Sequence, residues 1–197
     1  MITSTGIPPH DYKRAAELYW EAFGTKLGKV MQPEVRALAF IEAVMDGDHA
    51  ICAHDAAGNL LGVAGFKTYE GALVHGAFVD LVRAYGVIGA CWRALFLTLL
   101  ERDTENRRFL MDGIFVAPEA RGKGVGSTLL RAIKTEAKRR GYQEVRLDVI
   151  DTNARARALY ERMGFVQTDT QSIGPFTFCL WLSGSLDDGR DGLARSD

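Results

Sequence analysis

The hydrophobic positions near the start of the chain predict two helices. Between Asp11, a residue type that caps helices, and about Phe23, apolar residues recur every three or four positions. This spacing is typical of an amphipathic helix. Pro33 suits the first turn of a second helix, which we expect to end near Met45, before the turn residues Asp-Gly-Asp.

Residues 49–102 combine a hairpin with a long helical segment. The runs 49–54 and 60–69 are strand-like, and the turn residues between them predict a hairpin. From residue 71 to about residue 102 the pattern becomes helical. Its most apolar part, residues 86–100, contains Arg93 and is shorter than the roughly 18–20 residues that span a bilayer, so we expect no membrane segment.

The second half of the chain alternates strands and helices. A buried strand is predicted at Phe109–Val116, followed by a helix that ends at Gly141 and has an inner face of Val125, Leu129, Ile133 and Ala137. The remaining predicted elements are a strand at Glu144–Ile150, a short helix from Asn153 to Met163, and strands at Phe165–Thr168 and Phe176–Leu182. Residues 183–197 are polar and predict a disordered tail after a single domain of residues 1–182.

Composition narrows the class of protein. With 197 residues, 47% hydrophobic and 25% charged, the chain is typical of one globular domain. Its 24 Lys and Arg against 25 Asp and Glu argue against general nucleic-acid binding. The widely spaced Cys52, Cys91 and Cys179 and the dispersed histidines predict neither a disulfide framework nor a bound metal. The N-terminal residues lack the pattern of a signal peptide, so we expect a cytoplasmic protein.

A glycine-rich segment lies between the strand at 109–116 and the helix that follows it. It reads Arg121-Gly-Lys-Gly-Val-Gly126 and continues into Ser127. Such a loop can present backbone N–H groups and the positive end of a helix dipole to a phosphate, and glycine allows the anion to come close. A tight strand-to-helix connection with no ligand is the structural alternative.

Two common phosphate-binding loops fit this segment poorly. A Walker A loop has lysine directly before Ser or Thr after its last glycine, whereas here Ser127 follows Gly126 with no lysine between them. A dinucleotide-binding fingerprint requires G-x-G-x-x-G, and the chain has G-x-G-x-G, with only Asp148 or Asp151 available as the acidic partner.

Two sequence blocks together resemble the GNAT superfamily of N-acetyltransferases. The Arg-x-x-Gly-x-Gly spacing at 121–126 resembles that family's pyrophosphate loop. Residues 153–165 resemble its segment Asn-x-x-Ala-x-x-x-Tyr-x-x-x-Gly-Phe, in the family's order and separation. The resemblance covers about residues 49–69 and 109–182. It implies an α/β fold with a mixed, mostly antiparallel central sheet flanked by helices and splayed at an acetyl-CoA cleft.

The resemblance implies acetyl-CoA as the acetyl donor. The strand end at 114–116 would splay from residues 148–150, helped by a bulge near Val116 and Ala117. Backbone groups of Phe115 and Val116 would bind the pantetheine arm, and the Val116 N–H would polarise the thioester carbonyl. An N-cap is the alternative role for Asn153. The residues assigned to the cofactor are Ile114, Phe115, Val116, Arg121, Gly122, Lys123, Gly124, Val125, Gly126, Ser127, Asn153 and Tyr160.

The implied reaction is direct attack of a neutral amine on the acetyl thioester, which requires a base and an acid. Tyr160 matches the family's acid for the leaving thiolate, with a core tyrosine as the alternative. Asp112 is the candidate base because regular alternation would place it on one strand face with Ile114 and Val116, where partial burial would raise its pKa. Its alternative is an aspartate that binds backbone or a charged substrate. Reserve candidates with no spacing argument are Glu70, His75 and Glu101.

The chain departs from the family pattern at residues 70–108, a helical insertion between the third and fourth strands. Three interpretations stay open for it: a cover for the acceptor side, core packing, or a homodimer interface through Trp92, Leu95, Phe96 and Leu99. The function implied is transfer of the acetyl group to a primary amine of a small molecule or peptide. The alternative function is a non-catalytic acetyl-CoA-binding regulatory or interaction module. The near-zero net charge does not indicate the acceptor.

Overall fold

Seven strands form one sheet in the order β1-β2-β3-β4-β5-β7-β6 in the computed structural model, which describes residues 1–100, 109–173 and 176–186. The strands are β1 (Ile2–Thr5), β2 (Ala50–His54), β3 (Leu60–Lys67), β4 (Phe109–Val116), β5 (Val145–Ile150), β6 (Phe165–Ile173) and β7 (Phe176–Ser183). The helices are α1 (Tyr12–Met31), α2 (Glu34–Val44), α3 (Phe78–Leu100), α4 (Val125–Arg139) and α5 (Ala154–Arg162). Only β4 and β5 pair in parallel among the described strands. The predicted mixed, mostly antiparallel sheet is confirmed.

Helices α1 and α4 cover opposite faces of the sheet. Gly62 of β3 pairs with Val116 of β4, and a Cβ on Gly62 would lie 3.3 Å from Leu129 of α4. Directly paired residues share a face, so Val116 also points toward α4. The neighbouring Phe115 points the other way, because side chains alternate along a strand, and its ring centroid lies 5.7 Å from that of Tyr19 in α1.

The amphipathic pattern of α4 predicted its buried face correctly. Val125, Leu129, Ile133 and Ala137 are all buried, at 2% exposure or less, and pack onto the sheet. The chain leaves the helix through Gly141 at φ 82°, a conformation that glycine adopts without a steric penalty.

Several element boundaries differ from the prediction. Strand β1 was not predicted, because its four residues are all exposed and show no apolar alternation. Helix α1 continues past Phe23 to Met31, and β6 continues past Thr168 to Ile173. The helix of the insertion begins at Phe78 rather than Gly71, and Gly86 at φ 71° interrupts it.

Asp11 does not cap α1 with its side chain, contrary to the prediction. Its carboxylate instead lies 2.8 Å from Nε2 of His54 on β2, and both side chains are largely buried. The Asp11 carboxylate therefore interacts with His54 of β2 instead of capping the backbone N–H groups at the start of α1.

The insertion packs against the C-terminal end of α1. The Tyr85 hydroxyl donates to the Met31 carbonyl at 2.7 Å, and the Arg93 guanidinium donates to the Gln32 carbonyl at 2.8 Å. These bonds satisfy carbonyls that a helix end leaves free. Residues 101–108, which complete the predicted insertion and include the reserve candidate Glu101, lie outside the described residues.

The C-terminal strand extends beyond its predicted end. Ser183 is buried in β7, and its hydroxyl accepts a hydrogen bond from the Val145 N–H at 2.9 Å. Leu186 donates its backbone N–H to the Gln143 carbonyl at 2.9 Å, so residues 183–186 contact the domain. The rest of the predicted tail, residues 187–197, lies outside the described residues. None of the described helices combines the length and apolar character needed to cross a membrane.

Candidate active site

The parallel strands β4 and β5 separate after three residue pairs. Phe109, Leu110 and Met111 pair with residues 145–147. Beyond this point, residues 113–116 continue to pair with β3, while residues 148–150 pair with β7. The two strand ends therefore bound a V-shaped opening in the sheet, at the position where a splay was predicted.

The irregularity that accompanies the opening lies at Asp112, not near Val116 and Ala117 as predicted. Gly65 pairs with Gly113 and the next residue, Phe66, pairs with Met111, so Asp112 is an extra residue in β4. An extra residue reverses the alternation of faces along a strand. Asp112 therefore does not share a face with Ile114 and Val116, and it joins Phe115 on the α1 side.

The glycine-rich loop forms the open end of the V, where β4 leads into α4. Gly122 and Gly124 have φ of 78° and 81°, and a Cβ on either would meet no atom within 4 Å. The backbone N–H groups of Gly122, Gly124, Val125, Gly126 and Ser127 find no acceptor within the described ranges. The loop and the first turn of α4 thus present free donors beside open space, an arrangement that suits an anion.

Gly126 has a different role from its neighbours. A Cβ at this position would lie 3.0 Å from Cδ2 of Leu159, so its missing side chain lets α5 pack closely against the first turn of α4. This contact places α5, which begins directly after β5, beside the loop. Both helices therefore start at the open end of the V.

Three side chains of the predicted loop are placed differently from one another. The Arg121 Nε donates to the Val116 carbonyl at 3.1 Å, and its guanidinium lies 3.8 Å from the Glu21 carboxylate of α1. Lys123 lines a cavity of about 400 Å³ beside Glu119. Ser127 is half-buried in the first turn of α4. Arg121 thus links the loop to β4 and α1.

Asn153 caps α5, which was the structural alternative for this residue. Its side-chain oxygen accepts the Ala156 N–H at 3.1 Å, and the side chain is exposed. The N-cap role and a position at the open end of the V are compatible, because the bond uses only the amide oxygen.

Tyr160 is a buried residue of α5 whose ring is fixed by aromatic packing. Its ring centroid lies 6.1 Å from that of Phe165 and 6.4 Å from that of Trp181, and 4% of the residue is exposed. Burial raises the pKa of its hydroxyl well above the ordinary tyrosine value, so it stays protonated near neutral pH. The hydroxyl has no hydrogen-bond partner among the described residues and is not fully enclosed.

The Asp112 side chain is exposed to solvent at the V, but the protein atoms around its carboxyl group reduce its hydration. This crowding raises the pKa of its carboxyl, and the positive charge of Lys67 acts in the opposite direction. The carboxylate has no hydrogen-bond or ion-pair partner within the part of the chain that the structure describes. A carboxylate in these surroundings binds a proton more readily than an ordinary aspartate.

The sequence analysis missed Tyr19 of α1, which the fold brings beside Asp112. Burial, and then the negative charge of Asp112, raise the pKa of the Tyr19 hydroxyl well above its ordinary value. In the sequence this tyrosine belongs to the apolar face of a helix, and no motif marks it. Only the packing of α1 over β4 reveals its position.

Two of the reserve candidates, Glu70 and His75, lie elsewhere in the described structure. Glu70 pairs with Arg140 at 3.5 Å, at the far end of α4 from the loop. His75 is an exposed residue between β3 and α3. The described residues contain no group of three or more His, Cys, Asp or Glu that could hold a metal ion.

Sequence comparison connects the chain with a known family. A family model described as "Acetyltransferase (GNAT) family" matches residues 12–165. Thialysine N-epsilon-acetyltransferase of Bos taurus is 37% identical over 60 residues, 30% of this chain and 35% of the relative. Streptothricin acetyltransferase of Streptomyces lavendulae is 35% identical over 83 residues, 42% of this chain and 44% of the relative. The chain thus spans less than half the length of these curated relatives.

Solved structures share the fold over nearly the whole chain. A crystal structure of an N-acetyltransferase from Staphylococcus aureus Mu50 has a TM-score of 0.68 at 14% identity, covering 92% of this chain and 100% of the other. A crystal structure of another acetyltransferase has a TM-score of 0.64 at 19% identity, covering 93% of this chain and 99% of the other. At these identities the similarity shows the fold.

Proposed function

Because the chain belongs to the acetyltransferase (GNAT) family, we propose that it transfers the acetyl group of acetyl-CoA to a primary amine of a small molecule or peptide. The observation that carries this proposal is the V-shaped opening between β4 and β5, with backbone N–H groups at its open end that find no acceptor among the described residues. We assign the acid to Tyr160, which is buried in α5, and the base to Asp112, which has no hydrogen-bond or ion-pair partner among the described residues.

In this proposal the loop and the first turn of α4 hold the pyrophosphate of acetyl-CoA. The residues concerned are Arg121, Gly122, Lys123, Gly124, Val125, Gly126 and Ser127. The free N–H groups and the open space beside Gly122 and Gly124 support the assignment, because phosphate oxygens need close backbone approach. The backbone of Ile114, Phe115 and Val116 holds the pantetheine arm, and Asn153 contacts the cofactor through its amide nitrogen.

Tyr160 acts as the acid. As the amine nitrogen bonds to the acetyl carbon and the carbon–sulfur bond breaks, the sulfur receives the proton of the Tyr160 hydroxyl. The hydroxyl is protonated throughout the physiological range, so it has a proton to donate when the sulfur leaves. The Val116 N–H donates to the acetyl oxygen as negative charge develops there.

Asp112 acts as the base. The acceptor amine is mainly protonated at neutral pH, since alkylamines have a pKa near 10.4, and the nitrogen lone pair must be freed before attack. The Asp112 carboxylate takes this proton, directly or through one water. Its raised pKa supports the role because a stronger base accepts the proton more readily.

Two measurements test the proposal. Purified protein should gain melting temperature and show calorimetric binding with acetyl-CoA, and it should release CoA thiol faster than background hydrolysis with at least one amine of a broad panel. Absence of acetyl-CoA binding would refute the proposal. Tight binding with no amine-dependent thiol release would favour the alternative, a non-catalytic acetyl-CoA-binding module.

We also propose that two copies associate through α3. Val87, Ile88, Trp92 and Leu95 are exposed, at 46–87%, and no exposed side chain between residues 86 and 95 is charged. An uncharged apolar stripe is complementary to itself across a twofold axis, which supports a homodimer. Side chains of Phe96 and Leu99, also named in the prediction, lie outside the described residues. Light scattering should give a dimer, and Ile88→Asp should give a monomer.

A cytoplasmic location remains part of the proposal. Cys52, Cys91 and Cys179 are free thiols, and Cys91 is exposed, which suits a reducing compartment. Fractionation of the native cells would test it.

A further inference from the structure

A polar cavity lies at the closed end of the V. Its volume is about 330 Å³, and the residues that line it are Thr68, Tyr69, Glu70, Arg139, Arg140 and Tyr142. Lys67, which precedes this group, pairs with Leu110, and Leu110 pairs with Arg146 of β5. The 15 residues of α4 place the cavity about 20 Å from the glycine-rich loop. The proposed acetyl transfer uses none of the six lining residues.

The turn after β3 crosses a buried histidine. Thr68 donates its backbone N–H to the Gly71 carbonyl at 2.9 Å, and its hydroxyl accepts the Glu70 N–H at 3.2 Å. A Cβ on Gly71 would lie 2.7 Å from Cε1 of His49, so glycine lets the turn lie against the ring. Nδ1 of His49 lies 2.7 Å from the Asp46 carboxylate. These contacts position the backbone of Glu70 before any ligand binds, which reduces the entropy lost on binding.

Two guanidinium groups line the same cavity. Arg139 and Arg140 both donate to the Glu136 carboxylate at 2.7 Å, and the guanidinium carbon of Arg140 lies 4.8 Å from the centroid of the Phe66 ring. Nη1 of Arg139 and Nη2 of Arg140 have no hydrogen-bond partner among the described residues. Both side chains are therefore held in place and still have N–H groups that can bind an anionic group.

The charges at the cavity favour a ligand that carries both signs. Arg139 and Arg140 are balanced by Glu136 and Glu70, so a ligand with a net charge would leave the cavity charged. Glu136 is buried between the arginines, whereas the Glu70 side chain is 54% exposed and lies 3.5 Å from Nη1 of Arg140. Glu70 can therefore turn from Arg140 to a cationic group of a ligand while Arg140 binds an adjacent anionic group.

We infer that this cavity binds a free α-amino acid with an apolar or aromatic side chain. The carboxylate of the ligand accepts from Arg139 and Arg140, and its ammonium donates to Glu70. Its side chain packs against the rings of Tyr69 and Tyr142, which line the cavity. A simple amine or a simple carboxylate satisfies only half of this arrangement. The cavity is thus a second ligand site, separate from the acetyl transfer.

The test compares L-phenylalanine with two probes that each lack one of its charges. N-acetyl-L-phenylalanine has no ammonium, and 2-phenylethylamine has no carboxylate. Binding is titrated by two-dimensional amide NMR at pH 7, without acetyl-CoA so that no turnover occurs. L-phenylalanine should bind at least about tenfold more tightly than either probe, because each probe lacks charge-assisted hydrogen bonds. The amide signals of residues 68–71 and 139–142 should shift.

Variants assign each charge of the ligand to its partner. Glu70→Gln should remove the preference for L-phenylalanine over N-acetyl-L-phenylalanine, and Arg140→Gln should remove the preference over 2-phenylethylamine. Glu42→Gln, which changes an exposed carboxylate of α2, is the matched control and should change neither preference. If Arg140→Gln does not fold, Arg139→Gln replaces it, because the Arg139 side chain is 65% exposed.

Several results would overturn the inference. These are the absence of a saturable shift with L-phenylalanine, equal affinity for the three probes, and an unchanged preference in Glu70→Gln. An amino acid is also an amine that could enter the V, so Asp112→Asn is titrated in parallel. Shifts at residues 68–71 that persist in Asp112→Asn support a separate site, whereas loss of L-phenylalanine binding in that variant places the ligand in the V and overturns the inference.

Discussion

Replacing Tyr160 by phenylalanine tests the proposed acid with little disturbance of the fold. The ring keeps its packing against Phe165 and Trp181, and the hydroxyl that is removed has no partner among the described residues. Since no hydrogen bond is lost, we expect the free energy of unfolding to change by about 0.5 kcal/mol or less.

The expected kinetic effect is much larger. Loss of a positioned general acid lowers the rate by about 10²–10⁴-fold, which corresponds to about 3–5 kcal/mol in the activation free energy. Affinity for acetyl-CoA should stay nearly unchanged, because Tyr160 acts on the sulfur only as the bond breaks. Initial rates of thiol release and calorimetric titration with acetyl-CoA measure the two quantities separately.

Tyr12→Phe is the matched control. The Tyr12 hydroxyl accepts the Gly47 N–H at 3.2 Å, near the start of α1 and away from β5. Removing it should cost about 1 kcal/mol of stability, because a part-buried donor loses its acceptor, and should leave the rate per folded molecule unchanged. An equal loss of rate and acetyl-CoA affinity in Tyr160→Phe, or an unchanged rate, would refute the catalytic role and leave a structural tyrosine.

Three further predictions concern the loop, the base and the end of α4. Gly124→Val should weaken acetyl-CoA binding at least about tenfold. The φ of 81° at this position disfavours a branched residue, and the valine side chain would occupy the open space beside the loop. An unchanged affinity in calorimetric titration would show that the loop does not hold the cofactor. Because the pKa of Asp112 is raised, kcat/KM of the wild-type protein should rise with pH, with a midpoint above the ordinary pKa range of aspartate. If Asp112→Asn keeps this rise in its pH profile, Asp112 is not the base. Glu136→Gln should lose about 1–3 kcal/mol of stability at pH 7, because the carboxylate accepts bonds of 2.7 Å from Arg139 and Arg140. Those bonds lower the pKa of Glu136 in the folded state. Its contribution to the free energy of unfolding is therefore present above the unfolded-state pKa and is lost as pH falls through the lower folded-state pKa. In denaturant unfolding, the difference in stability between the wild-type protein and Glu136→Gln should disappear in strong acid.

Local periodicity predicted the elements that carry their own pattern. The buried face of α4 and the bounds of β4 follow from apolar spacing alone, because α4 buries one regular face and β4 buries Phe109, Met111 and Phe115. Strand β1 has no such set, since it owes its strand conformation to pairing with β2. Helix α1 continues through Gly24 to Met31, and a Cβ on Gly24 would lie 3.1 Å from the Trp20 ring, so this glycine leaves room for the ring and does not end the helix.

The residues of the candidate site also fall into two groups, those that a sequence motif marks and those that only the fold brings together. The loop at 121–126 and Tyr160 lie in contiguous motifs, so the sequence alone marks them. Tyr19 lies far from both motifs along the chain, and its meeting with Asp112 depends on how α1 crosses β4. That crossing is a property of packing between distant segments, which one sequence does not display.

The bulge at Asp112 connects these two parts of the site. At the closed end of the V, Phe109 points toward the α4 side, where its ring meets Tyr142 at 5.5 Å. In a regular strand Phe115 would point the same way, since the two residues are six positions apart. The extra residue reverses the alternation, so Asp112 and Phe115 both face α1 while Val116 faces α4 beside the loop. In the proposed acetyl transfer, one inserted residue would therefore let a single strand present backbone to the cofactor on one side and a carboxylate to the amine on the other.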